Sequence, residues 1–267
     1  MEKCLLKLLL MRNNRGKYTG DKVMKNVKLT IEYDGTNYHG WQAQSNAKTV
    51  QGTVEKAIHG LTGEKITITG SSRTDQGVHA YGQVANFFTN SNIPPDRFSY
   101  ALNRMLPDDI VIKKSEEVGM DFHARYCSKG KKYRYLIYNS SFPSAIYRNR
   151  AYHISHCLDM EKMNRAIKYF KGTYDFSAFR ATGSSTKTSV RTIFDVSLSK
   201  SEDIICFEVS GDGFLYNMVR IMVGTIVDVG MGRIEAEDIP CIIESLDRKR
   251  AGRTAPPQGL YLVEVYY

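Results

Sequence analysis

Apolar and polar residues alternate along Val27-Lys-Leu-Thr-Ile-Glu-Tyr-Asp34. A period of two predicts a strand with one wet face. A polar loop, Gly35 to Lys48, follows and carries the only tryptophan, Trp41. Val50, Val54, Ala57, Ile58 and Leu61 then recur at helical spacing, with Thr49 placed as N-cap and Gly63 as stop. Ile66-Thr-Ile-Thr69 and Gly82 to Phe88 read as strands on either side of a loop. Pro95-Asp96 opens a helix through Phe98, Leu102 and Met105 that stops at Pro107. Ile110-Val-Ile-Lys113 reads as a strand, so the order is β-α-β-β-α-β.

The second half repeats that order. Tyr133-Arg-Tyr-Leu-Ile-Tyr138 is a strand, and Asp159 caps a helix with Met163, Ala166, Ile167 and Phe170 on one face, closed by Gly172. Val190 to Leu198 and Ile204 to Val209 pair around the polar turn Lys200-Ser-Glu-Asp203. Phe214 to Val229 is helical by its apolar spacing. Ile239 to Leu246 is a further helix despite Pro240, and Leu260 to Val265 is the closing strand. The prediction is an α+β fold of two tandem ferredoxin-like, or RNA-recognition-motif-like, units. They span residues 24–124 and 125–267, with the boundary near Gly119 to Ser128. Two such units merge into one mixed, mainly antiparallel sheet and leave a cleft between them, a common place for a ligand.

The loop between the strands of the first half is Gly70-Ser-Ser-Arg-Thr-Asp-Gln-Gly-Val-His-Ala80. It holds a guanidinium (Arg73), a carboxylate (Asp75) and an imidazole (His79). In an extended chain Arg73 and Asp75 leave on the same side. Gly77 lets the backbone take a positive φ just after the carboxylate. The same residues also make an ordinary turn, with Asp bonding its own backbone. The loop by itself is consistent with either.

Composition narrows the class. The chain has 267 residues, 42% of them hydrophobic, which suffices for one large domain or two small ones. Its net charge of +9 favours a polyanionic partner, nucleic acid being the commonest. The 17 tyrosines and 11 phenylalanines add rings on which bases can stack, although most belong to the core. Five cysteines at 4, 127, 157, 206 and 241 form no Cys-x-x-Cys pair and are odd in number. They read as reduced thiols of a cytoplasmic protein. No apolar stretch reaches membrane-spanning length. Residues 1–23 hold six Lys/Arg and two Asp/Glu, and their apolar run is broken by Lys7 with no cleavage site after it. This tail is expected to be disordered or to follow from a start assigned too early, with Met24 as the natural start.

One constellation favours RNA, and the others read first as ordinary structure. Phe122-His-Ala-Arg-Tyr126 and Lys129-Gly-Lys-Lys-Tyr-Arg-Tyr135 interleave cations with rings at the junction. That suits a phosphate backbone with stacked bases, and it equally suits a strand with rings inward and lysines outward. Ser210-Gly-Asp-Gly-Phe-Leu-Tyr-Asn-Met-Val-Arg220 is a tight strand-to-helix turn without the lysine of a Walker loop. Arg220 lies among Met218, Val219, Ile221 and Met222, and so requires an anionic partner or a path to solvent. Arg248-Lys-Arg-Ala-Gly-Arg-Thr254 is a basic loop, by default a solvated surface, with phosphate contact as the other reading. No His/Cys cluster has metal spacing, and no zinc-deaminase signature is present.

From about Lys25 to Tyr267 the chain resembles the tRNA pseudouridine synthase A family. The landmarks, in order, are Thr30-Ile-Glu-Tyr-Asp-Gly-Thr36, Gly40-Trp-Gln42, Thr49-Val-Gln-Gly52, Arg73-Thr-Asp75 with Gly77-Val-His-Ala80, and Leu106-Pro-Asp-Asp109. They continue with Phe122-His-Ala-Arg125, Lys132-Tyr-Arg-Tyr135, Asp175-Phe-Ser-Ala-Phe179, Gly213 to Arg220, and Thr254-Ala-Pro-Pro-Gln-Gly-Leu-Tyr261. There are two departures. Ser71-Ser72 stands where many members have Ala-Gly, expected to mark a shifted site preference without touching the catalytic set, and the tail has no counterpart.

The resemblance implies a homodimeric enzyme, without cofactor, that converts uridines 38, 39 and 40 of the tRNA anticodon stem-loop to pseudouridine. It implies Asp75 as nucleophile, Arg73 in the space vacated by the flipped base, and Tyr133 as floor for the uracil and base for its C5 proton. Arg220 would pair with Asp75 through a bidentate contact and depress its pKa. Contacts to RNA are expected from Arg73, His79, Lys131, Lys132, Tyr133, Arg134, Phe214 and Leu215. The reading from another class is a non-catalytic RNA-binding module, which would not need Asp75. An RNA hydrolase would need a second carboxylate or a metal site.

Overall fold

The computed structural model describes residues 23–183 and 188–267. The expectations for residues 1–22 lie outside the described residues. The first half runs β1 (Lys25–Tyr33), α1 (Val50–Thr62), β2 (Thr69–Gly70), β3 (His79–Thr89), α2 (Phe98–Leu102) and β4 (Ile110–Val118). The second runs β5 (Gly130–Asn139), β6 (Tyr152–Ile154), α3 (Met160–Lys168), β7 (Gly172–Asp175), β8 (Val190–Ser201), β9 (Ile204–Gly211), α4 (Met218–Gly230), α5 (Ile239–Glu244) and β10 (Leu260–Tyr266).

The strands form one 10-stranded sheet in the order β4-β1-β3-β10-β5-β9-β8-β7, with β2 paired to β3 and β6 to β5. Each half therefore has the same plan, β4-β1-β3-β2 and β10-β5-β9-β8, which is the ferredoxin-like order expected from the repeat. The halves join where β10 runs parallel to β3, through Tyr261 opposite His79 and Leu262 opposite Ala80. All other neighbours are antiparallel except β5 and β6.

Local chemistry sets the helices. The Thr49 side chain accepts from the Gly52 N–H at the start of α1, and Gly63 closes it at φ 73°. Asp159 does the same for α3 through the Lys162 N–H. Val50, Val54 and Ile58 of α1 are fully buried, each contributing roughly 1.5–3 kcal/mol of apolar burial.

The strands β6 and β7 have no counterpart in the pattern-based expectation, and three expected elements differ in extent. The alternating run at 66–69 forms only the two residues of β2. The Ile68 N–H donates instead to Glu55 Oε1 at 3.0 Å and its carbonyl accepts from Gln51 Nε2 at 3.2 Å, both side chains of α1. The helix expected from Phe214 begins at Met218, because Asn217 takes φ 60°. The helix expected from Pro95 to Met105 is a 3-10 turn, Pro95–Arg97, and five residues of α2.

Strand parity decides what faces the helices. On β5, Tyr133, Tyr135 and Ile137 are buried while Lys132, Arg134 and Leu136 remain half-exposed. In α4 every residue but Arg220 is buried. Among the described residues no helix is long and apolar enough to cross a membrane.

Candidate active site

The segment between β2 and β3 is braced from behind. The Trp41 N–H donates to Thr74 O at 3.1 Å, the Gly77 N–H to Tyr38 O at 3.4 Å, and Gln83 Nε2 to Ser72 O at 2.7 Å. Thr74 turns into the core, where its hydroxyl meets the Tyr33 hydroxyl at 2.8 Å. Its neighbours Arg73 and Asp75 therefore point the other way, into the cleft, as alternation requires. Gly77 has φ 76°, which any other side chain would oppose. A Cβ at Gly70 would lie 2.3 Å from Trp41 Nε1, so glycine is what lets the indole pack against this turn.

Asp75 meets α4 across the cleft. Arg220 Nη1 donates to Asp75 Oδ2 at 3.2 Å and to Asn217 Oδ1 at 2.7 Å, and Nε donates to Ala255 O at 2.7 Å. The pair joins residues 145 positions apart, through one nitrogen and not the expected bidentate fork. Burial raises the Asp75 carboxyl above the usual aspartate range, and Arg220 only partly offsets it. That reverses the expected depression: desolvation of the carboxylate outweighs a single contact made through one nitrogen.

Tyr133 stands beside them, 7% exposed, on the helix-facing side of β5. Its hydroxyl lies 3.1 Å from Ser72 Oγ, and its ring meets Phe214 edge-on at 5.1 Å. Burial, with a smaller effect from the Asp75 charge, pushes its phenol up to about 12. Ser72, of the pair expected to leave the catalytic set untouched, thus lies in contact with Tyr133, a member of that expected set. The cleft encloses about 610 Å³ and takes its walls from both halves, from Trp41, Arg73 and Asp75 to Tyr133, Phe214 and Asn217. Among the described residues that line it, Asp75 is the only carboxylate, against Arg73, Arg125 and Lys131.

A family profile described as tRNA pseudouridine synthase matches residues 29–127 and 166–267. A tRNA pseudouridine synthase A of Acetivibrio thermocellus is 73% identical over 244 residues, 91% of this chain and 100% of that protein. The chain belongs to the tRNA pseudouridine synthase family. Membership makes it an isomerase of the pseudouridine synthase type. Proteins of the same name from Ruminiclostridium cellulolyticum and Caldicellulosiruptor saccharolyticus are 60% and 56% identical, each over 91% of this chain and the whole of the relative.

The remaining residues of interest in this pseudouridine synthase divide by strand face. Lys131 shares the cleft side of β5 with Tyr133. Among the described residues it has no ion-pair partner, and burial together with Arg125 and Arg191 lowers its ammonium to about 8. Lys132 and Arg134 point to the opposite face. Both are committed to Glu208 of β9, Lys132 Nζ at 2.9 Å and Arg134 through Nε and Nη2 at 3.0 and 2.8 Å, so they are not cleft cations. His79 is also outside the cleft, 3% exposed. Its Nδ1 accepts from the Gly35 N–H at 3.1 Å, and Nε2 faces the carbonyls of Asn149 and Gln258 at 3.0 and 3.2 Å. Its ring stacks on Tyr261 at 4.7 Å, which ties the seam between β3 and β10. An Asp34 oxygen also lies 3.1 Å from Nδ1. We assign the neutral Nε2–H tautomer, because burial holds the imidazole below its usual range and the Gly35 donor needs an acceptor. Phe214 and Leu215 line the cleft, Leu215 almost fully buried.

Sequence reasoning passed over Asn217 and Arg191, and took Ser72 only as a departure from the family pattern. The signal for Ser72 was present, as the parity that sends Thr74 to the core sends Ser72 toward β5. Asn217 lies within the landmark Gly213 to Arg220, but nothing in the chain sets it apart there, because the helix was expected to begin ahead of it at Phe214. Among the described residues no group of three His, Cys, Asp or Glu side chains could hold a metal ion.

Proposed function

We propose that this chain isomerises uridine to pseudouridine at positions 38, 39 and 40 of the tRNA anticodon stem-loop, with Asp75 as nucleophile. The observation that carries the reading is Asp75, the single carboxylate among the described residues of the cleft, held beside Arg220 and Tyr133 with cations around it. The names of the relatives, tRNA pseudouridine synthase A, supply the substrate class. A base must leave its stack to reach such a pocket, and Arg73, exposed on the same loop, fills the space left behind.

The sequence of steps balances without an external reagent. An Asp75 oxygen attacks the nucleotide, at uracil C6 or at ribose C1′, and the N1–C1′ bond breaks with its electron pair on N1. The uracil turns on the floor made by Tyr133 and Phe214. C5 bonds to C1′, the carboxylate is released, the C5 proton leaves and N1 gains one. Nothing is oxidised or reduced, so no cofactor enters. Tyr133 takes the C5 proton in this reading. With a phenol at about 12, ionisation at pH 7 costs roughly 7 kcal/mol by 1.36 kcal/mol per unit, which makes proton removal a costly step.

The test is an assay of pseudouridine formation on anticodon stem-loops that carry one uridine each at position 38, 39 or 40. Asp75→Asn is expected to abolish product while RNA affinity stays within about tenfold, or ~1.4 kcal/mol. Near-normal turnover in that variant would refute Asp75 as nucleophile, and product at none of the three positions would refute the site assignment. Tyr133→Phe is expected to bind RNA and stall in turnover, on the scale of 10²–10⁴-fold for a lost general base. A homodimer belongs to the same reading and is checked by light scattering.

A further inference from the structure

We propose that Asn217 is a positioning residue that pins the Arg220 guanidinium at a set distance from Asp75, steering the carboxylate without closing on it. The inference rests on Asp75 being the attacking group. Asn217 has φ 60° and ψ 9°, and the other described non-glycine residues with positive φ are Glu202 and Leu246. Asparagine tolerates this conformation better than most residues. It stands directly before α4, where a side-chain amide ordinarily caps the helix. Here it makes no capping bond. Its Oδ1 accepts from Arg220 Nη1 at 2.7 Å, the shorter of the two contacts that this nitrogen makes.

The arrangement divides Nη1 between two acceptors. One hydrogen goes to the neutral amide at 2.7 Å and the other to Asp75 at 3.2 Å, while Nε is fixed on Ala255 O. Two neutral oxygens therefore set where the guanidinium sits, and the carboxylate takes the longer contact. Without the amide, Asp75 is the remaining acceptor for Nη1, and the guanidinium closes on it. A tighter charge-assisted pair holds the carboxylate ionised and makes it a poorer nucleophile. Among the described residues, the other charged or titratable groups of the cleft that holds Asp75 are Tyr133 from β5, Arg73 on its own loop, and His123, Arg125, Tyr126, Lys131 and Tyr216 on the cleft wall. None of them is altered by the substitutions below.

The experiment is the pH profile of kcat/KM on an anticodon stem-loop for Asn217→Gly and Asn217→Asp, with Asp75→Asn run alongside. Glycine keeps the positive φ and removes the amide. Its acid limb is expected to move to lower pH, with kcat down about tenfold, the scale of one orienting hydrogen bond, and KM little changed. Aspartate keeps the shape, draws Arg220 away and adds a negative charge near Asp75, so its limb is expected to move to higher pH. Limbs that stay put, or move the same way in both variants, overturn the inference, as does a change confined to KM. If glycine fails to fold, the near-isosteric aspartate variant still gives the sign. An active Asp75→Asn would instead bring down the nucleophile assignment, and this inference with it.

Discussion

Lys131 and Lys132 are adjacent in the chain and live on opposite faces of β5. Lys131 looks into the cleft, half-buried among like charges, with its ammonium lowered to about 8. Lys132 looks outward and shares Glu208 with Arg134. Both faces of the strand carry cations beside tyrosines, and only one keeps its charge unspent. On the outer face Coulomb attraction is already satisfied in a solvated triad. On the cleft face desolvation and mutual repulsion raise the free energy of the charges, a state that an incoming polyanion relieves. The parity of a strand, more than its composition, decides which of its cations are paired on the outer face and which face the cleft.

The largest contrast is expected between ion pairs. Arg220→Leu leaves Asp75 desolvated and unpaired, and removing one partner of a buried pair costs about 3–5 kcal/mol. Here the side chains retain 15% and 30% exposure, so about 2 kcal/mol is expected after screening. Turnover should be lost as well. The double change with Asp75→Ala should recover much of the stability. A denaturation cycle over these variants is expected to give coupling well above the ~0.5 kcal/mol at which sites count as independent. The same cycle on Lys132 and Glu208 is expected to give less than about 1 kcal/mol, as exposed pairs do. Equal couplings on the two faces would erase the distinction.

Much of this was legible in the chain. The doubled β-α-β-β-α-β order came from periodicity, because most of the strands and helices have one wet face, although α4 is buried at every residue but Arg220. Thr49, Gly63, Asp159 and Gly77 act as local chemistry dictates, through caps and a positive φ. The sharing of β3 was not legible. β10 takes the start of its free edge at His79 and Ala80, β2 is reduced to two residues, and the Ile68 backbone bonds to α1 side chains. That is a competition between distant segments, invisible to a local pattern. In the site, the pairing of Asp75 with Arg220 was anticipated from the resemblance and from an arginine among apolar neighbours, and the geometry brings the two together. The direction of the Asp75 shift was missed, since burial depends on how deeply the cleft closes around the loop. The fate of Lys132 and Arg134 was missed because Glu208 lies 76 and 74 positions away (208 − 132 and 208 − 134), on a strand whose register the sequence does not announce.

A smaller effect separates the two lysines directly. Lys131→Ala is expected to weaken RNA binding by about tenfold, ~1.4 kcal/mol, and to flatten the log–log salt slope by about 0.7–0.9, the value for one phosphate that is no longer neutralised. Lys132→Ala should leave affinity and slope nearly unchanged, because its charge is already balanced by Glu208. Titrations of tRNA binding between low and moderate salt check both. A slope that falls equally in the two variants would place phosphates on the outer face of the sheet too.

The mildest test uses pH alone. With its ammonium lowered to about 8 by burial and by Arg125 and Arg191, Lys131 of the free protein loses its proton as pH rises through that value. A phosphate favours the charged form, so binding above about 8 must take up a proton, and linkage then requires affinity to fall as pH rises from 7 to 9. Below about 7 the group is already charged and the dependence should vanish. The drop should be several-fold at most, bounded by what Lys131→Ala removes. Lys131→Arg supplies the control, since a guanidinium stays charged throughout this window, and its affinity is expected to be flat over the same range. Lys132, whose ammonium is raised chiefly by its hydrogen bond to Glu208, should contribute nothing to the slope between pH 7 and 9. A wild-type profile as flat as that of Lys131→Arg would mean that no phosphate reaches the cleft face of β5, and the asymmetry between its two faces would then be structural and not a device for binding RNA.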